Sequence, residues 1–363
     1  MSPFGERPES IQIQQKKRAT QIIPQKVNSV DLPLQTEMLD KFLITWYNKA
    51  AKLCQQQFCT AFPVSHNREK VMKFTKMHGI GNDYVYVNCF DESVSEPEKL
   101  SVVVSDVRKG IGSDGLVLIM PSDKADVRMR IFNADGSEAK MCGNATRCIG
   151  KYAYERGLVS KEDMTLETNS GIKHLHLTVS DGRVQLVTVD MGKAVLQPRN
   201  IPINSDLEQF VDQPVEVCGK VWNITGVSMG NPHAVVFVDD VDSLDLEKLG
   251  THFENHSLFP DRVNTEFIER IDSHTLKMRV WERGSGETFA CGTGACASAV
   301  AAVLNGFCQH DEEILIHLRG GDLIITYRQD GTVIMQGGAD FICDGEISDD
   351  YINEAKEKIV CRD

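Results

Sequence analysis

The sequence predicts an α+β protein built from two duplicated, pseudo-symmetric lobes. Three observations carry that expectation. From residue 72 onward, short β-like runs such as "YVYVNCF", "GLVLIM", "VRMRIFN", "HAVVFVDDV" and "TLKMRVWE" are broken by Gly, Asn and Asp. Long helical runs are few, and the two clearest, "GNATRCIGKYAYERG" and "GTGACASAVAAVLNG", each follow a Cys-Gly pair. Many strands with a few prominent helices read as α+β. The third observation is that the two Cys-Gly segments belong to a repeat.

Laid over each other without gaps, Ile131–Cys148 and Val280–Ala297 align at an offset of 149. Ile131 meets Val280, Phe132 meets Trp281 and Glu138 meets Glu287. Cys142 then meets Cys291, and Gly143 meets Gly292. The same offset places "GND" (81–83) over "GNP" (230–232). Each half therefore reads Gly-Asn, a strand, a polar turn, and Cys-Gly opening a helix. Two blocks sharing one offset indicate duplication, so the lobes are expected at 72–189 and 190–342, with 343–363 a tail returning to the first lobe.

Residues 1–71 differ in character. The first 36 are polar, rich in Gln, Pro and Ser, and read as disordered. Leu39, Phe42, Leu43, Trp46, Tyr47, Ala50 and Leu53 then recur at helical spacing and predict one amphipathic helix. This segment carries a net charge of +4 against −17 for the remainder. A total of −13 argues against a surface for nucleic acid or anionic membrane. No apolar run approaches the ~20 residues of a membrane span, and the N-terminus lacks the apolar core of a secretory signal. Eleven cysteines, an odd number in a chain too large to need disulfide staples, read as reduced thiols in a cytoplasmic compartment.

The repeat also suggests a chemistry. Pseudo-twofold lobes facing across a cleft would set Cys142 opposite Cys291, each at a helix N-terminus. Such a position favours a thiolate, and the unpaired N–H groups there bind a carboxylate. Two thiols flanking one carbon suit a two-base racemase, in which one thiolate removes the α-proton and the other thiol returns a proton to the opposite face. The helix N–H groups would hold the charge that develops on the carboxylate.

At these residues the sequence resembles the diaminopimelate epimerases. The matching pieces are "HGIGNDY" (78–84), "FNADGSEAKMCGN" (132–144), "SMGNPH" (228–233), "RVNTEF" (262–267) and "ERGSGETFACGTGA" (282–295). They occur in the family's order from about Lys73 to the end, and residues 1–71 lie outside the resemblance. It implies, for each lobe, a curved and mainly antiparallel sheet around a central helix. It implies Cys142 and Cys291 as the acid/base pair, assisted by His233 and Glu282. It implies substrate contacts from Asn82, Asn133, Gly143, Asn144, Asn231, Asn264, Glu282, Arg283, Gly292 and Thr293. Among these, Arg283 suits a bidentate hold on a distal carboxylate. The implied reaction interconverts LL-2,6-diaminopimelate and its meso form in lysine and peptidoglycan precursor synthesis. No cofactor and no metal are implied; a homodimer is. Two positions depart from the family pattern. Ala145 replaces a common Gly, a benign change in a first helical turn. Gly115 stands where some members have Gln, so that side-chain contact is missing.

Other readings remain to be weighed. A proline-type racemase or related isomerase of the same fold needs no Arg for a distal carboxylate and typically carries His where Asn144 stands. A noncatalytic protein could clamp a dicarboxylate with the same helix ends. A zinc site from Cys142, Cys148, Cys291 and Cys296 lacks the compact ligand spacing of zinc ribbons. "GIGSDG" (110–115) matches a dinucleotide fingerprint, but "LVLIM" after it reads as a strand where a helix is required. Cys148 and Cys296 read as helix packing residues.

Overall fold

The computed structural model describes residues 70–360; the amphipathic helix expected near residues 39–53 lies outside them. The first lobe runs β1 (Val71–Gly79), β2 (Asn82–Asn88), α1 (Pro97–Ser105), β3 (Gly115–Met120), β4 (Val127–Asn133), β5 (Glu138–Ala139), α2 (Gly143–Glu155), β6 (Asp163–Thr168), β7 (Gly171–Ser180) and β8 (Arg183–Lys193). After a linker and β9 (Gln213–Val217), the second repeats that order. It has β10 (Lys220–Ser228), β11 (Pro232–Val238), α3 (Leu246–Glu254), β12 (Asn264–Arg270), β13 (Thr275–Glu282), β14 (Gly286–Thr288), α4 (Gly292–Leu304), β15 (Glu313–Leu318), β16 (Gly321–Tyr327) and β17 (Thr332–Gly337). β18 (Asp340–Ser348) and α5 (Asp349–Val360) close the described chain.

The offset of 149 found in the sequence holds for whole elements. It carries β1 onto β10, α1 onto α3 and α2 onto α4 without a residue of slack. The pairing repeats as well. β2–β3 and β11–β12 are parallel, as are β4–β6 and β13–β15, while the other pairs in each lobe are antiparallel. β8 pairs antiparallel with β17 and joins the two sheets. The duplicated α+β architecture expected from the sequence is therefore the architecture observed.

Each sheet wraps its central helix. In α4, "GTGACASAVAAVL", small and apolar residues occur all round, which marks a helix buried on every side. The two central helices share one core that crosses both lobes, from Met77 and Ile149 to Val300 and Met335. The outer face of the second sheet is covered by α3, where Trp222, Phe253 and Phe267 meet edge to face at 5.2–6.2 Å. The first sheet's outer core gathers Val85, Leu100 and Leu116 with Ile352 of α5.

Both inner domain boundaries expected from sequence fall inside strands. β8 continues to Lys193, because Gly192 (φ 85°) sits at an irregularity opposite Val333 and lets the strand run on. β18 begins at Asp340 and pairs with β1 from Val71 to His78. Helices α1, α3 and α5 were not singled out in the sequence. α1 starts at Pro97 and α3 is capped by the Asp245 side chain on the N–H of Lys248. "GIGSDG" leads into strand β3, which removes the dinucleotide reading. No helix among the described residues is long and apolar enough to cross a membrane.

Candidate active site

The two central helices begin where the lobes meet. Cys142 and Cys291 are the N-cap residues of α2 and α4, both with extended backbone (φ −136° and −120°). That conformation lets the chain turn from a strand into a helix while the cap carbonyl already accepts a helical bond. Thr146 N–H donates to Cys142 O and Ala295 N–H to Cys291 O, each at 2.9 Å. The helix starts face each other closely. A Cβ on Gly292 would lie 3.2 Å from Met335 Sδ, tighter than usual, and at ordinary contact distance from Asn144 Oδ1 (3.5 Å) and Gly143 Cα (3.9 Å) of the other helix start. Asn144 Nδ2 also reaches across to Ala290 O at 3.4 Å, one residue before Cys291.

The paired Gly-Asn turns deliver the neighbouring amides. Ile80 and Gly81, both at positive φ, form the two-residue hairpin between β1 and β2, which sets Asn82 at its tip. Asn82 Oδ1 accepts from Asn144 Nδ2 at 3.2 Å and from the Cys142 thiol at 3.6 Å, and Asn82 Nδ2 donates to Asp114 Oδ2 at 2.6 Å. In the second lobe Asn231 Nδ2 donates to Thr293 Oγ1 at 3.3 Å, and Thr293 Oγ1 lies 3.6 Å from the Cys291 thiol. The backbone N–H groups of Gly143, Gly292 and Thr293 have no acceptor among the described residues, as the first turn of a helix dictates.

His233 is fully buried. Its Nδ1 lies 2.7 Å from Glu266 Oε1, and its Nε2 lies 3.0 Å from Asn231 Oδ1. Glu282 ends β13 and accepts from Thr288 Oγ1 at 2.5 Å. Asn133 occupies the corresponding place at the end of β4, with its amide on Ser137 Oγ. Asn264 is engaged at both ends of its amide. It donates to Pro232 O and accepts from Arg283 N–H, so it fixes the Arg283 backbone. Arg283 itself is exposed, and its guanidinium makes one hydrogen bond, to Asp261 O. Most of its five-donor fork is therefore left for a carboxylate. At Gly115 a Cβ would lie 2.0 Å from Phe132 O, so this strand register has no room for a side chain there.

Burial decides the resting chemistry of the thiols more than the helix ends do. Both are pushed up by loss of water. For Cys142 the Asn144 and Ala145 N–H groups and the Arg147 guanidinium oppose that rise, while Glu282 adds to it. For Cys291 the carboxylates of Glu282 and Glu266 add to burial and hold the thiol well above its ordinary value. Glu282 is itself raised, chiefly by burial. Burial thus outweighs the helix position expected to acidify the two thiols.

Sequence reasoning missed Glu266, Asp114 and Arg147. Glu266 sits in the quoted "RVNTEF", but its repeat partner is Val117, so the alignment gives it no support. Among the described residues no group of three His, Cys, Asp or Glu side chains is placed to hold a metal.

The structure sets two duplicated lobes together, with a Cys-capped central helix in each. The chain aligns with a hydroxyproline epimerase from Agrobacterium vitis at a TM-score of 0.59, covering 78% of this chain and 94% of that one at 13% identity, a likeness of fold alone. The family model for diaminopimelate epimerase matches residues 74–197 and 225–342. Proteins named diaminopimelate epimerase are 58% identical over 277 residues in Acetivibrio thermocellus (76% of this chain, 98% of the relative) and 54% identical over 284 residues in Agathobacter rectalis (76% and 99%). The chain belongs to the diaminopimelate epimerase family.

Proposed function

We propose that the protein is a cofactor-independent isomerase that interconverts LL- and meso-2,6-diaminopimelate with two thiols. The observation that carries this reading is the convergence of the two Cys-capped helix starts, joined by the Asn144 Nδ2 hydrogen bond to Ala290 O at 3.4 Å. In the forward step one cysteine, as thiolate, takes the α-proton and becomes a thiol. The electron pair left on carbon delocalises into the α-carboxylate, whose oxygens meet the N–H groups of Gly143, Asn144, Gly292 and Thr293. The opposite cysteine then gives its proton to the other face and is left as thiolate. Atoms and charge balance, and the two thiols exchange roles. In this reading Glu282 meets the α-ammonium group, while His233, buried with both ring nitrogens engaged by Glu266 and Asn231, assists Cys291 through those neighbours. Arg283 at the rim binds the distal carboxylate, with Asn82, Asn133, Asn231 and Asn264 shaping the pocket. We further propose a cytoplasmic homodimer acting in lysine and peptidoglycan precursor synthesis.

The test is proton exchange followed by NMR. Reduced protein with LL-diaminopimelate in deuterated water should give the meso isomer with deuterium at one α-carbon. Cys142→Ala and Cys291→Ala should each abolish epimerisation. Absence of exchange by the folded, reduced protein would overturn the reading.

A further inference from the structure

Arg147 is the fourth residue of α2 after Gly143 and is completely buried. Its hydrogen bonds all go to neutral groups. Nε donates to Gly338 O at 3.2 Å, Nη1 to Gly143 O at 3.3 Å and Met335 Sδ at 3.5 Å, and Nη2 to Asn144 Oδ1 at 2.8 Å. Among the described residues no carboxylate lies within salt-bridge distance of it. The space is built to fit. A Cβ on Gly79 would lie 3.1 Å from Nη2, and one on Gly337 would lie 3.2 Å from Nε, so strands from both lobes carry glycine against the guanidinium. A buried cation without an anion is costly to keep. The titratable groups that face it are the thiols of Cys142, Cys148 and Cys296 and the phenol of Tyr86.

The repeat sharpens the point. At the offset of 149, Arg147 corresponds to Cys296, so the second lobe has no cation in the equivalent place. The second lobe instead carries Glu266 and Glu282 beside Cys291, where the first has Val117 and Asn133. Arg147 also holds Asn144 Oδ1, which turns the Asn144 Nδ2 toward Asn82 Oδ1, the acceptor of the Cys142 thiol, and toward Ala290 O.

We propose that Arg147 is a positioning residue that makes the two thiols unequal: it sets a positive charge behind Cys142 and locks Asn144 between the cysteines. Cys142 is then the first of the two thiols to give up its proton, and Cys291 is the one that holds it. Of the groups around Cys142, the guanidinium favours this state, while Glu282 and the phenols of Tyr84 and Tyr86 face the same thiol without a positive charge. Around Cys291 the carboxylates Glu282 and Glu266 press, with His233 bearing on Glu282, and the Gly294 N–H (3.3 Å) and the Thr293 hydroxyl only partly oppose them. This inference rests on the two-thiol reading, but its test needs no substrate.

The experiment is residue-resolved alkylation. Intact, reduced protein is pulsed with iodoacetamide across a pH series, quenched and digested, and the modified fraction of each cysteine is read by mass spectrometry. In the unmodified protein Cys142 should react with a lower pH midpoint than Cys291. Arg147→Met should raise the Cys142 midpoint by about one pH unit or more, the size expected for loss of a nearby opposite charge, and move Cys291 much less. Arg147→Lys, which keeps the charge, should leave the Cys142 midpoint near its original place while lowering kcat through a displaced Asn144. The reverse order of the two midpoints in the unmodified protein would overturn the proposal, even if Arg147→Met does not fold. So would an Arg147→Met protein in which both thiols move together, or neither moves. If the alkylation pattern holds but diaminopimelate does not turn over, the substrate reading fails and this one stands.

Discussion

Replacing Glu266 with Gln should separate what the second lobe does from what the first does. Glu266 is fully buried, 2.7 Å from His233 Nδ1, and its other oxygen has no partner among the described residues. The substitution preserves shape, which matters because a Cβ on Gly294 would already lie 2.6 Å from Glu266 Oε1. It removes a negative charge from beside Cys291 and weakens the hydrogen bond that orients His233. A hydrogen bond to a charged group contributes about 1.5–3 kcal/mol. If that orientation is fully used in the transition state, kcat/KM should fall about 10- to 150-fold, at 1.36 kcal/mol per factor of ten. The pH effect has a definite sign. The Glu266 carboxylate raises Cys291, so its loss lowers that thiol, and the Cys291 alkylation midpoint should move to lower pH. The assays are the pH profile of kcat/KM and residue-resolved alkylation of the folded variant. A kcat/KM within about twofold of the parent, with the Cys291 midpoint unmoved, would refute the claim that Glu266 governs this thiol.

Other expectations follow from single contacts. Thr288→Val removes the 2.5 Å hydrogen bond that stabilises the charged form of Glu282, so the Glu282 acid should rise further and the acid limb of the activity profile should move to higher pH; an unmoved limb would exclude Glu282 from that titration. Gly250→Ala forces a Cβ to 2.0 Å from the Trp281 ring and should cost about 1–3 kcal/mol by overpacking, read as a lower Tm with the Cys142 and Cys291 alkylation midpoints unchanged. The buried thiols Cys148 and Cys296 are each pushed up from 9.0 to about 12, so the unfolded chain ionises them first as pH rises. Their contribution is intact below pH 9 and is lost above it, by about 1.4 kcal/mol each at pH 10. Cys148→Ala and Cys296→Ala should therefore each flatten the fall in stability between pH 8 and 10, measured by denaturant titration. Asp344→Ala breaks an exposed ion pair with Arg156, worth no more than about 1 kcal/mol, and also leaves the buried Thr75 hydroxyl without its 2.6 Å acceptor, which adds about 1–3 kcal/mol, read as a lower Tm.

The repeat was legible because cysteine beside glycine, followed by a helical run, is an uncommon pattern, and two blocks kept one spacing. Strand runs such as "VRMRIFN" were legible because one face is buried and the other is not, which writes alternation into the sequence. The shorter helices were harder. In α1 the run "LSVVVS" carries β-branched residues that favour a strand, and packing under α5 overrides that preference. The lobe boundaries were obscured by strands that continue past their glycines, because pairing partners in the other lobe, invisible locally, hold them extended. Of the site, the residues related by the repeat could be found, whereas those that break it could not. Arg147 in a helical run reads as a solvated charge, and only the tertiary structure shows both lobes closing over it.

Four departures from symmetry share one direction, although Asp114 over Val263 and Ala134 over Arg283 run the other way. The backbone keeps the repeat to the residue in its central helices, but Arg147 faces Cys296, Tyr84 faces His233, Val117 faces Glu266 and Asn133 faces Glu282 across the offset. Each of these four exchanges leaves the first lobe more positive or neutral, and together they give the second lobe Glu266, Glu282 and His233. Such an arrangement leaves the equilibrium between the two stereoisomers unchanged, since a catalyst stabilises one transition state for both directions. It changes which protonation state of the free protein each isomer must meet. On the proposed two-thiol reading, an isomer whose α-proton faces Cys142 meets the thiol that ionises more readily, whereas one facing Cys291 meets the thiol that holds its proton more firmly. Forward and reverse kcat/KM should therefore keep a ratio fixed by the equilibrium at every pH, while the forward and reverse kcat profiles separate. The degree of separation measures how far the side chains have moved from the symmetry that the backbone still holds.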